Sequence, residues 1–314
     1  VPSAPPSPPL DPLRVHPLSN LVVAAGLRWV VFTRPQELLL HPALQASFSR
    51  FAPPVRRQVF QKLTGIGLDS IKEAVVAGYD GSTLFVLDGM ADALETEARF
   101  RDRLIFDVIR KAYRSDAIWT HGRTATGDVR ALSALHPHVV AVEGGDRLRS
   151  KVALLFALGR LRRSPRALDL PDMKQVLDAL GDVPVRALAP GPFEGAWEGA
   201  IRGLLSSCSA VGLGILVGPA GQLSLSVRLA GAWGQDAPRA AEFLLSGWQD
   251  LASSSLGRLL HLDESTDGPR VGGGPEILSL DVGVDGVKLM DGLYQVVAAD
   301  VREILDMDAP KETR

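Results

Sequence analysis

The sequence predicts an α+β fold in two lobes, each a mainly antiparallel sheet covered by helices. Three observations predict it. Alternating apolar runs come in pairs around short turns, each pair is followed by a segment with apolar residues every three or four positions, and the unit recurs. It stands at Ala74–Phe106, at Val211–Ser255 and at Ile277–Asp306. Alternation with a period of two sends one row of side chains into a core and the other into water, while spacings of three and four give a helix one apolar stripe. A hairpin followed by such a helix supplies two surfaces that bury each other, the elementary layer of an α+β domain.

Taken in order, the chain opens with Val1–Asp11, where Pro2, Pro5, Pro6, Pro8 and Pro9 exclude helix and central strand. Residues 1–20 therefore read as a disordered lead-in or tether. An N-terminal lobe follows over 21–163. It holds a strand at Leu27–Thr33, helical stretches from Pro35 to Phe51 and from Pro54 to Thr64, and then the first hairpin. In that hairpin Val75 and Ala77 lead to Tyr79-Asp80-Gly81-Ser82, and Leu84 and Val86 return. The Asp-Gly pair fits a type I′ turn. A helix over Ala91–Tyr113, strands at Ala117–His121 and Val139–Glu143, and a helix over Arg147–Arg160 complete the lobe. The charged, Pro-containing run Leu161–Arg166 marks the boundary.

The C-terminal lobe, 164–314, begins with a helix capped by Asp172 and running to Leu180, a strand at Val183–Leu188, and a helix from Phe193 to Leu205. The middle unit is the clearest. Val211, Leu213, Ile215 and Val217 alternate up to Gly218-Pro219-Ala220-Gly221, and Leu223, Leu225, Val227 and Leu229 come back. Asp236 and Pro238 then open a helix carrying Ala241, Leu244, Leu245, Trp248 and Leu251 on one stripe. The stretch Asp263–Pro275, with Gly272-Gly273-Gly274, lacks apolar periodicity and reads as a mobile loop. In the last unit Leu278, Leu280, Val282 and Val284 lead to Asp285-Gly286, with Val287 and Leu289 as the return strand. The outer units share Asp-Gly tips and Asp-Gly exits, at Asp88-Gly89 and Asp291-Gly292. That is the pattern of an internal duplication, or of the general preference of hairpin turns for Asp-Gly.

At 314 residues the chain exceeds the size at which single cores usually stop growing, roughly 250–300 residues. Its 46% hydrophobic and 22% charged residues are ordinary for a globular chain. A net charge of −2 offers no attraction to nucleic acid. The single cysteine, Cys208, excludes an internal disulfide. No run reaches the roughly 18 apolar residues that would suggest a transmembrane segment.

The search for chemistry gives no assembled set, and no residue is assigned a catalytic, cofactor-binding or metal-binding role. Phosphate-loop, dinucleotide, nucleophile-elbow, zinc-protease and EF-hand patterns do not occur. Gly122-Arg123-Thr124-Ala125-Thr126-Gly127 begins like a phosphate loop, but Asp128 stands where lysine is required. His136-Pro137-His138, with His121 as a third ligand, could hold a metal, and reads better as an exposed turn because no cysteine or carboxylate completes the shell. The remaining histidines, His16, His41 and His261, form no tight pair. Cys208, between Ser207 and Ser209, could be a nucleophile but, without a placed His and carboxylate, reads as a semi-buried small residue. Glu95 and Glu97 belong to a helix rich in Arg99, Arg101 and Arg103, a solvated face. Asp263, Glu264 and Asp267 could bind calcium, but their spacing matches no calcium loop and they read as part of a mobile acidic loop. Trp29, Trp119, Trp197 and Trp248 read as core anchors. Trp233 is expected to be partly exposed, so the loop Gly231–Gln235 and the Gly-rich connector are the candidate contact surfaces.

In pattern, the Pro-rich start, the strand leading into Arg34-Pro35-Gln36-Glu37-Leu38-Leu39, the Ala74–Leu87 hairpin and the Val282–Leu289 hairpin with its closing helix resemble uncharacterised secreted or lipid-anchored proteins of bacterial cell envelopes. The bias toward arginine over lysine, with Asn20 the only asparagine, fits a GC-rich bacterial coding sequence. The resemblance implies a periplasmic or outer-membrane-tethered, lipoprotein-like chain and transfers no site residues. The expected function is non-catalytic binding of a protein or an envelope component. The alternatives are a hydrolase whose Cys208, His121, His136 or His138 meets its partners only in three dimensions, and a cytoplasmic scaffold or regulatory subunit.

Overall fold

A computed structural model describes residues 12–306, apart from His136 and Ala200. The first half runs β1 (Leu27–Thr33), α1 (Pro35–Leu39), α2 (Gln45–Phe51), α3 (Pro54–Thr64), β2 (Ile71–Tyr79), β3 (Ser82–Gly89) and α4 (Ala93–Asp102). It continues through β4 (Phe106–Arg114), β5 (Ala117–Arg123), β6 (Val129–Leu135), β7 (Val139–Gly145), α5 (Arg149–Ala157) and α6 (Pro171–Leu180). The second half runs β8 (Val185–Pro190), β9 (Cys208–Val217), β10 (Gln222–Gly231), α7 (Ala237–Ser253), α8 (Ser255–Leu259), β11 (Asp267–Gly273), β12 (Ile277–Asp285) and α9 (Gly286–Asp306).

The fold is α+β, and its strands form one sheet of twelve in the order β11-β12-β10-β9-β8-β1-β2-β3-β7-β6-β5-β4. Every neighbouring pair is antiparallel. The two sheets expected from the sequence are therefore the halves of one. They join because β1 pairs on both edges, Val30 standing opposite Ala77 of β2 and Leu188 of β8. Each half follows the same route. Three strands step outward from the seam, a helix (α4 or α7) carries the chain to the margin, and the remaining strands return to close against the third.

Register explains how both faces are covered. On the first face one row runs from Val271 through Leu280, Val227, Leu213, Ala187, Val31, Val76, Phe85, Val142 and Leu132 to Thr120 and Arg110. It is apolar across ten strands and turns polar at the last two. Helices α3 and α4 cover one half of this face through Phe60, Ala93 and Phe100. Helix α7 covers the other with Ala237, Ala240 and Leu244, joined by Leu289 of α9 and Leu44 beside α2. On the opposite face α5 and α6 bury Leu154, Phe156, Met173 and Val176 against Val30, Phe32, Val75 and Val86. Helix α6 comes close because β9 carries glycine beneath it: a Cβ on Gly212 would lie 2.3 Å from Val176 Cγ1.

Several expectations from the sequence are corrected. The helix over Ala91–Tyr113 stops at Asp102, and Phe106–Arg114 is the edge strand β4, whose outward side chains need no strict alternation. Asp285-Gly286 is no hairpin tip. Asp285 Oδ1 accepts the N–H of Val287 (2.9 Å) and Lys288 (3.1 Å), so it caps α9, and Val287 and Leu289 are helical. The similarity between the outer units thus fails at its last strand, although the route of the two halves repeats.

The connector Asp263–Pro275 contains β11, which among the described residues pairs with β12 alone and packs on α7 through Val271. An edge strand can be Gly-rich because only one side is paired. Between Phe193 and Leu205 short 3₁₀ turns at Gly195–Trp197 and Leu204–Ser207 replace a helix. The α6 N-cap is Leu170, with Asp172 in the first turn. At the first hairpin tip positive φ falls on Gly81 (+73°) and not on Asp80, so the turn is not type I′. Of the lead-in, residues 12–20 pack on the core, with Leu18 fully buried and Leu13 and Val15 against it. Val1–Asp11, where the prolines cluster, lies outside the described residues.

Candidate functional site: a polar groove between α3 and α4

Helix α3 starts with Pro54 in its first turn and ends at Gly65, whose φ of +79° lets its N–H reach Gln61 O at 2.8 Å. Thr64 tightens the exit: its hydroxyl donates to Phe60 O (2.8 Å) and accepts from Ile66 N (3.0 Å). Beyond it Ser70 donates to Gly67 O at 2.7 Å, fixing the loop into β2. Helix α4 is capped by Asp92, which accepts from Leu94 N (2.9 Å) and Glu95 N (2.8 Å).

Arg99 ties the two helices together. Its guanidinium donates to Lys62 O, in the last turn of α3, at 2.7 Å and to Glu95 of its own helix at 2.7 Å. Beneath α4, Glu97 is buried against the sheet, where it accepts from Thr120 Oγ1 (2.5 Å) and Arg110 Nε (3.1 Å). This is the polar end of the register row described above. Read as part of a solvated helix face, Glu97 is instead the anchor that places α4 on the sheet.

Between these supports lies a groove of about 670 Å³, lined by Gln58, Gln61 and Lys62 of α3, the Gly65–Ser70 loop, Met90, and Glu95 and Thr96 of α4. A continuation of about 310 Å³ shares Gln58, Gln61, Ser70 and Met90 and reaches Gln36 and Arg57. Arg57 is occupied by Asp69 at 2.5 Å. Gln58 and Gln61 sit three residues apart on one face of α3, and no protein group among the described residues engages their amides. Each amide offers donors and an acceptor together. Met90, 72% exposed, adds an adaptable apolar contact. With Lys62 and Glu95 both on the rim, the groove has no strong sign of charge. Its exposed polar groups are amides and hydroxyls, with the two signs of charge balanced on the rim.

The residues weighed from the sequence lie elsewhere and do not converge. Cys208 is buried, donates weakly to Leu204 O at 3.4 Å, and burial pushes its thiol up to about 12. His121 is stacked on Trp119 at 5.5 Å on the face opposite the groove, with Asp146 3.8 Å from Nε2. Neither ring nitrogen of His121 has a hydrogen-bond partner. The nearby Ser150 hydroxyl is turned to Glu143 (3.2 Å) and Trp119 (3.3 Å). His138 is exposed in the β6–β7 turn, its carbonyl accepting from Gly89 N, and His136 lies outside the described residues. Among the described residues no group of three His, Cys, Asp or Glu could hold a metal ion.

Gly122 and Arg123 end β5, and Thr124–Asp128 is the β5–β6 turn, closed by Thr124 N to Asp128 O at 3.0 Å. Of the acidic stretch, Glu264 accepts from Lys288 and His261, contacts that hold its carboxyl below the usual range. Trp233, expected to be partly exposed, is 7% exposed, with Nε1 donating to Leu229 O at 3.2 Å. Trp197, expected in the core, is 62% exposed. The groove residues escaped notice because glutamine and an exposed methionine form no motif. The available signal was Gly65-Ile66-Gly67 between a helix and a hairpin, a place where a chain turns sharply and leaves backbone uncovered.

No family model matches the chain, and no curated protein matches it. Among solved structures, crystal form III of TP0453 is similar at 13% identity, with a TM-score of 0.49, covering 93% of this chain and 99% of that one. Crystal form IV of TP0453 aligns at 13% identity and a TM-score of 0.46, covering 92% and 97%. Among the described residues no helix is long and apolar enough to cross a membrane.

Proposed function

We propose that the protein is a non-catalytic binding protein of the bacterial cell envelope and that the α3–α4 groove receives its ligand. The ligand is an extended polypeptide segment or another amide- or hydroxyl-rich envelope component. The observation that carries this reading is the pair of unengaged amides, Gln58 and Gln61, facing Met90 across a groove whose walls are fixed by Arg99 and by the Asp92 cap. A site on packed helices, with side chains not spent on internal bonds, is arranged to bond something else. The periplasmic or outer-membrane-tethered setting is part of the proposal and is supported by the Pro-rich lead-in. So is a two-lobed division at the β1–β8 seam, with the groove in the N-terminal lobe.

The test is capture from detergent-solubilised envelope fractions by the wild-type chain and by Gln58→Ala/Gln61→Ala. A partner retained by the former and lost by the latter is the expected result. Equal capture by both overturns the groove as the binding site.

A further inference from the structure

We propose that the first face of the sheet, at the seam, carries a binding site for a polyproline II segment and that its occupant is Val1–Asp11 of a neighbouring copy of this chain. The inference is independent of the groove, and it begins with side chains that the core leaves out. Trp29, Val31, Val76 and Phe85 share the first face on β1, β2 and β3, yet none of them joins a core cluster. Expected from the sequence as a core anchor, Trp29 is 41% exposed, and Phe85 is 39% exposed. The indole lies over Gly78, where a Cβ would stand 2.2 Å from Cε2 and 2.4 Å from Nε1, so only glycine admits the ring there. No protein group among the described residues accepts the Trp29 Nε1 proton or engages the hydroxyl of Thr83, the next residue in that row.

An outward aromatic face beside unspent donors is the chemistry that takes proline, the ring packing on pyrrolidine while the indole N–H bonds a carbonyl. Polyproline II leaves every carbonyl without an internal partner. Spacing agrees. One turn of that helix is three residues and about 9 Å. Trp29 and Phe85 stand two strands and one row apart, about 12 Å between backbones and about 8 Å where the indole leans over β2. In Val1–Asp11, Pro2, Pro5 and Pro8 recur every three residues and so line one edge of such a helix, with Pro6 and Pro9 along the next. Asp11 is the segment's only charged side chain, and the charges beside the site are paired, Arg28 with Asp80 at 2.9 Å and Arg130 with Asp128 at 3.7 Å.

The point where the segment leaves the fold assigns it to another copy. Arg14 N donates to Ala157 O at 2.9 Å, His16 stands 3.6 Å from Asp88, and Leu13 and Val15 pack on the opposite face. From Asp88 back to Thr83 is about 17 Å along β3, and passing around the layer to the first face adds about 10 Å. Seating even Pro2 and Pro5 leaves the chain from Pro5 to residue 12, about 22 Å as polyproline II. A chain's own segment therefore falls short of its own site.

The test is the synthetic peptide of residues 1–11, added to the full-length chain at about 20 µM and followed through the indole N–H resonances. A saturable shift of one indole signal is expected below about 1 mM peptide, assigned to Trp29 by its loss in Trp29→Phe. Phe85→Ala should weaken binding about fivefold. A peptide carrying Pro5→Ala and Pro8→Ala should bind about tenfold more weakly, because it is less preorganised. Sedimentation velocity of the chain alone, from about 5 to about 300 µM, should show association that excess peptide reverses. No shift at Trp29, or an equal response to both peptides, overturns the site. A shift with a soluble N-acetylglucosamine oligomer and none with the peptide makes the platform a sugar site and overturns it as well. Peptide binding without association of the chain overturns the neighbouring copy as the donor.

Discussion

Glu143 caps helix α5 from a strand: its Oε2 accepts the N–H of Ser150 at 3.0 Å, while Oε1 accepts the N–H of Arg147 at 3.0 Å. Leu148, at the N-cap position, has no side chain able to do this, and its φ of +56° turns the chain so that the strand carboxylate can. The same oxygen accepts the Ser150 hydroxyl, and Ser133 donates to Ser150 O at 2.8 Å. A carboxylate that is fully buried is thereby satisfied by backbone donors and by the positive end of a helix.

Glu143→Ala should cost about 2–3 kcal/mol, because it leaves the buried Ser150 N–H and hydroxyl and the half-buried Arg147 N–H without their acceptor. Urea unfolding monitored by circular dichroism measures it. A loss below about 0.5 kcal/mol, the level of an ordinary surface substitution, would show that α5 is held by packing alone.

Gly212→Ala should destabilise the fold by about 1–3 kcal/mol, since its Cβ would meet Val176 at 2.3 Å and Leu180 and Leu188 at 3.0 Å. Adding Val176→Ala should recover part of that loss by making room. If the pair is as unstable as the sum of the single variants, the close approach of α6 is not the cause.

Stability should fall as the pH rises above about 9. Burial raises the Cys208 thiol from 9.0 to about 12 and the Tyr79 phenol from 10.0 to about 12. Between the unfolded and folded values the native chain binds more protons than the unfolded one, so stability is complete below that window and is lost through it. Thermal unfolding between pH 8 and pH 11 would show a decline that Tyr79→Phe reduces. In the same way Cys208 should resist a thiol reagent at neutral pH and react only on unfolding. Ready modification of the native chain would contradict its burial.

The regular alternation of β1, β2, β3, β9, β10 and β12 made those strands legible in the sequence. The α3 and α7 helices were legible for the matching reason, an apolar stripe between a proline start and a glycine or serine end. What could not be read was anything decided by a margin or by a distant partner. Phe106–Arg114 looks helical beside α4 because an edge strand owes nothing to alternation. Asp285-Gly286 is as good a helix start as a hairpin tip, and only the place of β12 beside β10 decides between them. That two half-sheets are one depends on β1 and β8, which are short and lie about 150 residues apart.

The groove was the least legible feature. Gln58, Gln61 and Met90 are ordinary residues that acquire meaning only when Arg99 draws α4 against the end of α3. The candidates the sequence did offer, His121 and Cys208, are chemically distinctive side chains placed in a stacked pair and in a core. Distinctive chemistry in the sequence and open geometry in the fold point to different places.

The central claim, that the α3–α4 groove is where this protein binds its partner, is tested most directly by photo-crosslinking in living cells. A crosslinking amino acid at Gln61 is compared with one at Leu256, which is 49% exposed on α8 away from the groove. A discrete crosslinked product from position 61, absent from position 256 and lost when Gln58 is also changed to alanine, is the predicted result. No product from position 61, or the same product from both positions, would contradict it.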